Sequence, residues 1–80
     1  MNLTFSKAAA RDYRHLDAWT QKLVQAELNK LIHGEPVNIK KLEGKDNTWR
    51  LRAGDYRITF ERIGSDAEVL HIKHRREVYR

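Results

Sequence analysis

The stretch WRLRAGDYRITF, residues 49 to 60, alternates apolar and polar side chains on either side of a Gly54-Asp55 turn. Successive strand residues point to opposite faces, so a period of two held across a tight turn specifies a hairpin with one buried face. Trp49, Leu51 and Ala53 alternate with Arg50 and Arg52; Tyr56, Ile58 and Phe60 alternate with Arg57, Thr59 and Glu61. A second turn at Gly64-Ser65-Asp66 leads into EVLHIKH, a third strand. If its alternation runs uninterrupted, Leu70, Ile72 and His74 face the core, and Val69, His71 and Lys73 join the polar face.

Something must cover the apolar face, and the residues before the hairpin supply it. LTFS is short enough for one strand, and Ser6 stands where its side-chain oxygen can cap the alanine-rich KAAARDYRHL. Asp17 caps a second helix, AWTQKLVQAELNKLIHG, with Leu23, Val24, Leu28, Leu31 and Ile32 across one broad face. Gly34 and Pro36 stop it, and a loop through Asn38 and Lys41 follows. The predicted fold is α+β: an N-terminal strand, a two-helix hairpin, then a three-stranded antiparallel meander, with the helices packed on one sheet face. A chain of 80 residues suffices for one such layer pair, so residues 1–80 are expected to form a single domain. No cysteine is present, which excludes disulfides, thiol catalysis and cysteine-based zinc sites. Neither a signal peptide nor a membrane span is evident, and the default expectation is a cytosolic protein.

The open face carries the functional signal. It collects Arg50, Arg52, Arg57, Thr59, Glu61, His71 and Lys73, with Arg75 and Arg76 just beyond the last strand. A solvated face needs polar residues, but it does not need one sign of charge; like charges on neighbouring strands destabilise a sheet. A net charge of +5 also serves solubility, yet its sorting onto one face points to an anionic polymer. Guanidinium forks match phosphate oxygens, and the absence of an evident basic recognition helix favours RNA over duplex DNA. Tyr79 is available to stack on an unpaired base.

The segment KKLEGKDNTWRLRAGDYRITFERIGSDAEVLHIKHRREVYR resembles the C-terminal half of toxins of the RelE/ParE superfamily. The likeness lies in a K-L-x-G turn, a W-R-L-R…G-x-Y-R hairpin and the closing H-R-x-x-V-Y. That resemblance implies the toxin half of a type II toxin–antitoxin module. The RelE branch implies a ribosome-dependent endoribonuclease that cuts mRNA; the ParE branch implies inhibition of DNA gyrase without nuclease chemistry. The matched positions imply roles for Arg50, Arg52, Arg57, Arg75 and Tyr79, and retention of all of them favours the nuclease branch. The reaction implied is metal-independent attack of a ribose 2′-hydroxyl on the adjacent phosphate, giving a 2′,3′-cyclic phosphate and a 5′-hydroxyl. A cognate antitoxin, the ribosome and mRNA are the implied partners, with no membrane and no direct DNA readout.

Arg50 and Arg52 stand where the best-known RelE pattern has lysines. A guanidinium keeps its proton to above pH ~12, so neither can remove the 2′-proton. His71 and His74 are the candidates for that base, with Glu61 and Glu77 behind them. His15 and His33 are expected on helix surfaces remote from the sheet face, and no histidine pair has a metal-ligand spacing, so no metal or cofactor is expected. The other readings are a gyrase inhibitor and a non-catalytic basic RNA-binding protein.

Overall fold

The computed structural model describes residues 1–78. Strand β1 (Leu3–Phe5) leads into helices α1 (Lys7–Arg14) and α2 (Ala18–Ile32). Strands β2 (Ile39–Lys41), β3 (Thr48–Ala53), β4 (Tyr56–Ile63) and β5 (Asp66–His74) follow, and the short helix α3 (Arg75–Val78) comes last. The sheet order is β1-β5-β4-β3-β2, antiparallel except that β1 lies parallel to β5. The α+β architecture expected from the sequence is the one observed, with two additions. Residues 39–41, expected in a loop, form β2 on the edge beside β3, where exposed Lys40 and Lys41 discourage further strand pairing. Residues 75–78, given no element in the sequence reading, wind into α3.

Both long helices begin as their caps dictate. Asp17 accepts from the Thr20 N–H at 2.7 Å, and hydrogen bonds from the Thr20 side chain and then from this N–H hold its carboxyl below the usual aspartate range. Ser6 has a second duty: its Oγ accepts from the Ala9 N–H at 3.0 Å and donates to the Leu70 carbonyl at 2.8 Å. Its backbone N–H also bonds the Val69 carbonyl at 2.9 Å. Just beyond the end of β1, therefore, the start of α1 takes over the free edge of β5. Asp12 continues the cover, its Oδ2 accepting from the Ile72 N–H at 2.9 Å.

The core lies between α1, α2 and one face of the sheet. Leu51, Ile58 and Phe60 are fully enclosed against Val24, Val69 and Ala9, with Leu28 and Ile72 beside them. Enclosing each large side chain contributes about 1.5–3 kcal/mol.

Uninterrupted alternation fails on β5. Thr59 pairs with His71 but Phe60 pairs with Val69, so Leu70 is an extra residue, a β-bulge. One inserted residue inverts the facing of everything before it. Val69, expected on the polar face, is 0 % exposed in the core, while Leu70, expected in the core, is half-buried. Glu68, opposite Glu61, is turned toward the open face. The facings of His71, Ile72 and Lys73 are unaffected because they follow the bulge.

The double duty of Ser6 makes it a sensitive position. Ser6→Ala removes a cap and orphans a strand carbonyl, and is expected to lower unfolding free energy by about 1–3 kcal/mol. Urea unfolding measures this, and a midpoint equal to that of the unsubstituted protein would contradict the edge-capping role.

Candidate functional site

Cross-strand register turns the cations of the open face into rows. In one, Arg52 is directly opposite Arg57, and Arg57 is directly opposite Lys73. In the next, Lys40 pairs with Arg50, Arg50 with Thr59, and Thr59 with His71. Farther along, Glu61 pairs with both Thr48 and Glu68. The face is thus cationic toward the Gly54-Asp55 turn and acidic at the opposite end.

Direct like-charge pairs cost stability, and the structure offsets part of that cost at Lys73. The Asp12 carboxylate reaches Lys73 Nζ at 3.2 Å while holding the Ile72 amide through its other oxygen. Arg57 is fixed differently: its Nη1 donates to the carbonyls of Gly54 at 2.8 Å and Tyr56 at 3.1 Å. Those bonds use the two N–H groups of Nη1 and leave Nε–H and the Nη2 donors for a ligand. Arg50, Arg52 and Arg57 line a cleft of about 170 Å³ with Asn38 and Lys40. Asn38 and Lys40 were not singled out in the sequence, where nothing showed that β2 would lie beside β3.

Arg75 begins α3 rather than extending the strand. Its N–H donates to the Asp55 carbonyl at 2.7 Å, and its Nε lies 3.7 Å from the Asp55 carboxylate. Arg76, on the same turn, is exposed. Tyr79 lies outside the described residues.

The two candidate histidines differ. His71 is half-buried on the open face, with Nδ1 enclosed and without a hydrogen-bond partner. Burial first, and then the charges of Lys73 and Arg50, push its pKa below the usual histidine value, against a smaller opposing pull from Asp12. It is held neutral, and because Nδ1 is enclosed, Nε2 is the nitrogen able to exchange a proton with a ligand. His74, which follows the core parity, packs edge-on to the Tyr56 ring at 5.3 Å. Its Nδ1 accepts from the Arg76 N–H at 3.2 Å, so the neutral ring carries its proton on Nε2. That nitrogen is a donor.

His15, expected to be remote, caps α1 and lines a cleft of about 260 Å³ with Lys73, His74, Tyr56, Asp12 and Glu77. Helical periodicity alone could not reveal that α1 ends beside the end of β5. His33 does lie at the exposed end of α2, its Nδ1 on the Asn29 carbonyl. Among the described residues, no group of three or more His, Cys, Asp or Glu could hold a metal ion. No helix among them is long and apolar enough to cross a membrane.

A strand, two helices and an antiparallel sheet with a cationic open face describe a known class of small toxin. The sequence model of the ParE toxin of type II toxin–antitoxin systems matches residues 3–79, and the chain belongs to this family within the RelE/ParE superfamily. The chain is 27 % identical to the toxin RelE3 of Methanocaldococcus jannaschii, over 99 % of this chain and 96 % of that one. It superposes with a TM-score of 0.82, at 25 % identity, on a chain of the RelB–RelE antitoxin–toxin complex of Methanococcus jannaschii. That alignment covers 95 % of this chain and 94 % of the other. The isolated Escherichia coli RelE toxin shares the fold with a TM-score of 0.77, at 19 % identity, over 91 % of this chain and 82 % of that one.

The neutral state of His71 has a measurable consequence. An unfolded histidine takes up its proton near pH ~6.5, whereas the folded one resists until lower pH. The unfolded chain therefore binds more protons as pH falls through about 6.5, and folding stability declines toward the folded pKa and then levels. Unfolding midpoints between pH 7.5 and 5 should fall, and His71→Asn should flatten that part of the profile. An unchanged slope in the variant would exclude His71 as its source.

Proposed function

We propose that this toxin is a ribosome-dependent mRNA endoribonuclease of the RelE type, acting by metal-independent attack of a ribose 2′-hydroxyl on the neighbouring phosphate. The observation that supports this reading above all is the row Arg52–Arg57–Lys73, three cations in direct cross-strand register. Charge so arranged opposes folding and suits a polyanion. In the reaction, the 2′-oxygen bonds phosphorus and the P–O5′ bond breaks. The 2′-proton passes to a base and another proton goes to the departing 5′-oxygen, leaving a 2′,3′-cyclic phosphate and a 5′-hydroxyl end.

Roles follow from the chemistry of each group. Arg57 and Arg52, with Arg50 beside them, hold the phosphate oxygens as negative charge builds; preorganised donors of this kind are each worth on the order of 10²–10³ in rate. Arg75 and Arg76 extend the RNA contact. Neutral His71 is the base that arginine cannot be, receiving the proton at Nε2. His74, whose Nε2–H is a hydrogen-bond donor, is assigned the departing 5′-oxygen, which takes its proton from solvent water while the His71 imidazolium returns one to solvent. Tyr79 stacks on an unpaired base. The ribosome and its mRNA are the substrate assembly, and a cognate antitoxin is the partner that holds the toxin inactive in the cytoplasm.

A second reading has its own support, since the matching family is described as ParE toxins. A ParE-like gyrase inhibitor would depend little on Arg57, and a non-catalytic RNA-binding protein would bind without cutting. Brief induction in a bacterial host, with mapping of new 5′ ends on a translated message, separates the three. Cuts within translated codons, absent from an untranslated control and reduced at least 100-fold by Arg57→Ala, are expected. Intact message with growth arrest and DNA damage would move the assignment to gyrase. Intact message with normal growth would leave RNA binding alone.

A further inference from the structure

Arg57 and Arg75, two of the arginines assigned to the RNA, come from different elements but converge on one turn. The Gly54 carbonyl receives Arg57 Nη1, and the next carbonyl, that of Asp55, receives the Arg75 N–H. The Asp55 carboxylate adds a contact with the Arg75 guanidinium. From its other side the turn is braced by α2. Gly54 has φ +60, a conformation that favours glycine, and a Cβ there would stand 2.7 Å from Leu23 Cδ2. Trp19, Thr20 and Leu23 of α2 border this contact, forming with Gly54, Asp55 and Tyr56 a cleft of about 300 Å³. Bracing of this kind is uneven along the sheet: Gly64, in the β4–β5 turn, has φ +62 and nothing within 4 Å of its Cβ position.

We propose that the Gly54-Asp55 turn, seated against the Leu23 side chain, is the positioning element of the active site, setting the Arg57 guanidinium and the start of α3 relative to each other. This rests on the nuclease reading. Gly54, Asp55 and Leu23 are positioning residues; they act through Arg57 and Arg75 and touch no substrate. The logic is geometric. Arg57 spends both N–H groups of Nη1 on the turn, so its remaining donors move with the turn's carbonyls. Arg75 is attached through its own backbone, so a shift of the turn moves both guanidinium groups, and catalytic groups displaced by ~1 Å lose about 10²-fold in rate.

The test compares two glycines with the same backbone strain but different surroundings. Purified Gly54→Ala, Gly64→Ala and Leu23→Ala/Gly54→Ala are assayed for single-turnover cleavage of ribosome-bound mRNA, with RNA affinity and thermal midpoint measured on each. Gly54→Ala should cleave roughly 10- to 100-fold more slowly at nearly unchanged RNA affinity. Gly64→Ala, with a similar loss of thermal stability, should cleave at the unsubstituted rate, and the double variant should regain part of the loss. Equal rates for Gly54→Ala and Gly64→Ala would overturn the proposal, as would no recovery in the double variant. Should Gly54→Ala not fold, a cycle between the exposed pair decides. Asp55→Ala should slow cleavage severalfold in the unsubstituted chain and add nothing to Arg75→Ala; additive effects would overturn the role of the turn. Failure of the unsubstituted toxin to cut mRNA at all would instead reject the nuclease reading.

Discussion

Arg57 occupies the middle of the sheet with Arg52 directly opposite on one side and Lys73 on the other, and the rest of the molecule accommodates that arrangement. Left to themselves, neighbouring strands so charged would separate. They are held by what lies beneath: Ile58 and Phe60 alternate with Arg57 on the same strand and are sealed against α1 and α2. Burial of those two side chains contributes about 3–6 kcal/mol together, against cross-strand penalties of roughly 0.2–1 kcal/mol per pair. The hydrophobic face can therefore sustain a repulsive one. Asp12, reaching round from α1, removes a further part of the strain by pairing with Lys73.

Much of this was legible in the sequence because period two and period 3.6 are strong signals that one core reinforces. The alternation through Trp49 to Phe60 set the facing of Arg50, Arg52 and Arg57 without knowledge of the partner strands. Capping chemistry at Ser6 and Asp17 marked both helix starts. What was not legible has a common physical origin in relations between segments distant in the chain. A bulge adds one residue without altering local composition, so nothing about Val69, Leu70 or Glu68 announced that they would turn over. β1 lies parallel to β5 across more than sixty positions, and the cover of β5 by Ser6 and Asp12 depends on that placement. The nearness of His15 to His74 follows from the same crossover.

The bulge has a value beyond re-registering the strand. Before it, β5 needs Ala67 and Val69 in the core to meet Phe60. After it, the strand needs His71 and Lys73 on the open face, beside Thr59 and Arg57. Residues 67, 69, 71 and 73 are all odd, so strict alternation would put all four on one face and could not satisfy both demands. One extra residue at Leu70 resolves the conflict, and the Ser6 hydroxyl bonds the Leu70 carbonyl at that point.

Arginine at positions 50 and 52 shapes how labour is divided across the face. A lysine can both neutralise phosphate and, when its pKa is lowered, take a proton; arginine does only the first. A face rich in guanidinium groups keeps its charge over a wide pH range but, in the proposed reaction, must obtain proton transfer elsewhere. Burial, and then the charges of Lys73 and Arg50, oppose protonation of His71. His74 is set in the opposite sense, its lone-pair nitrogen taken by the Arg76 amide and its N–H left over. Two imidazoles on one strand, separated by Ile72 and Lys73, thus acquire different hydrogen-bonding capacities from their neighbours: burial and charge for one, a helix-start amide for the other.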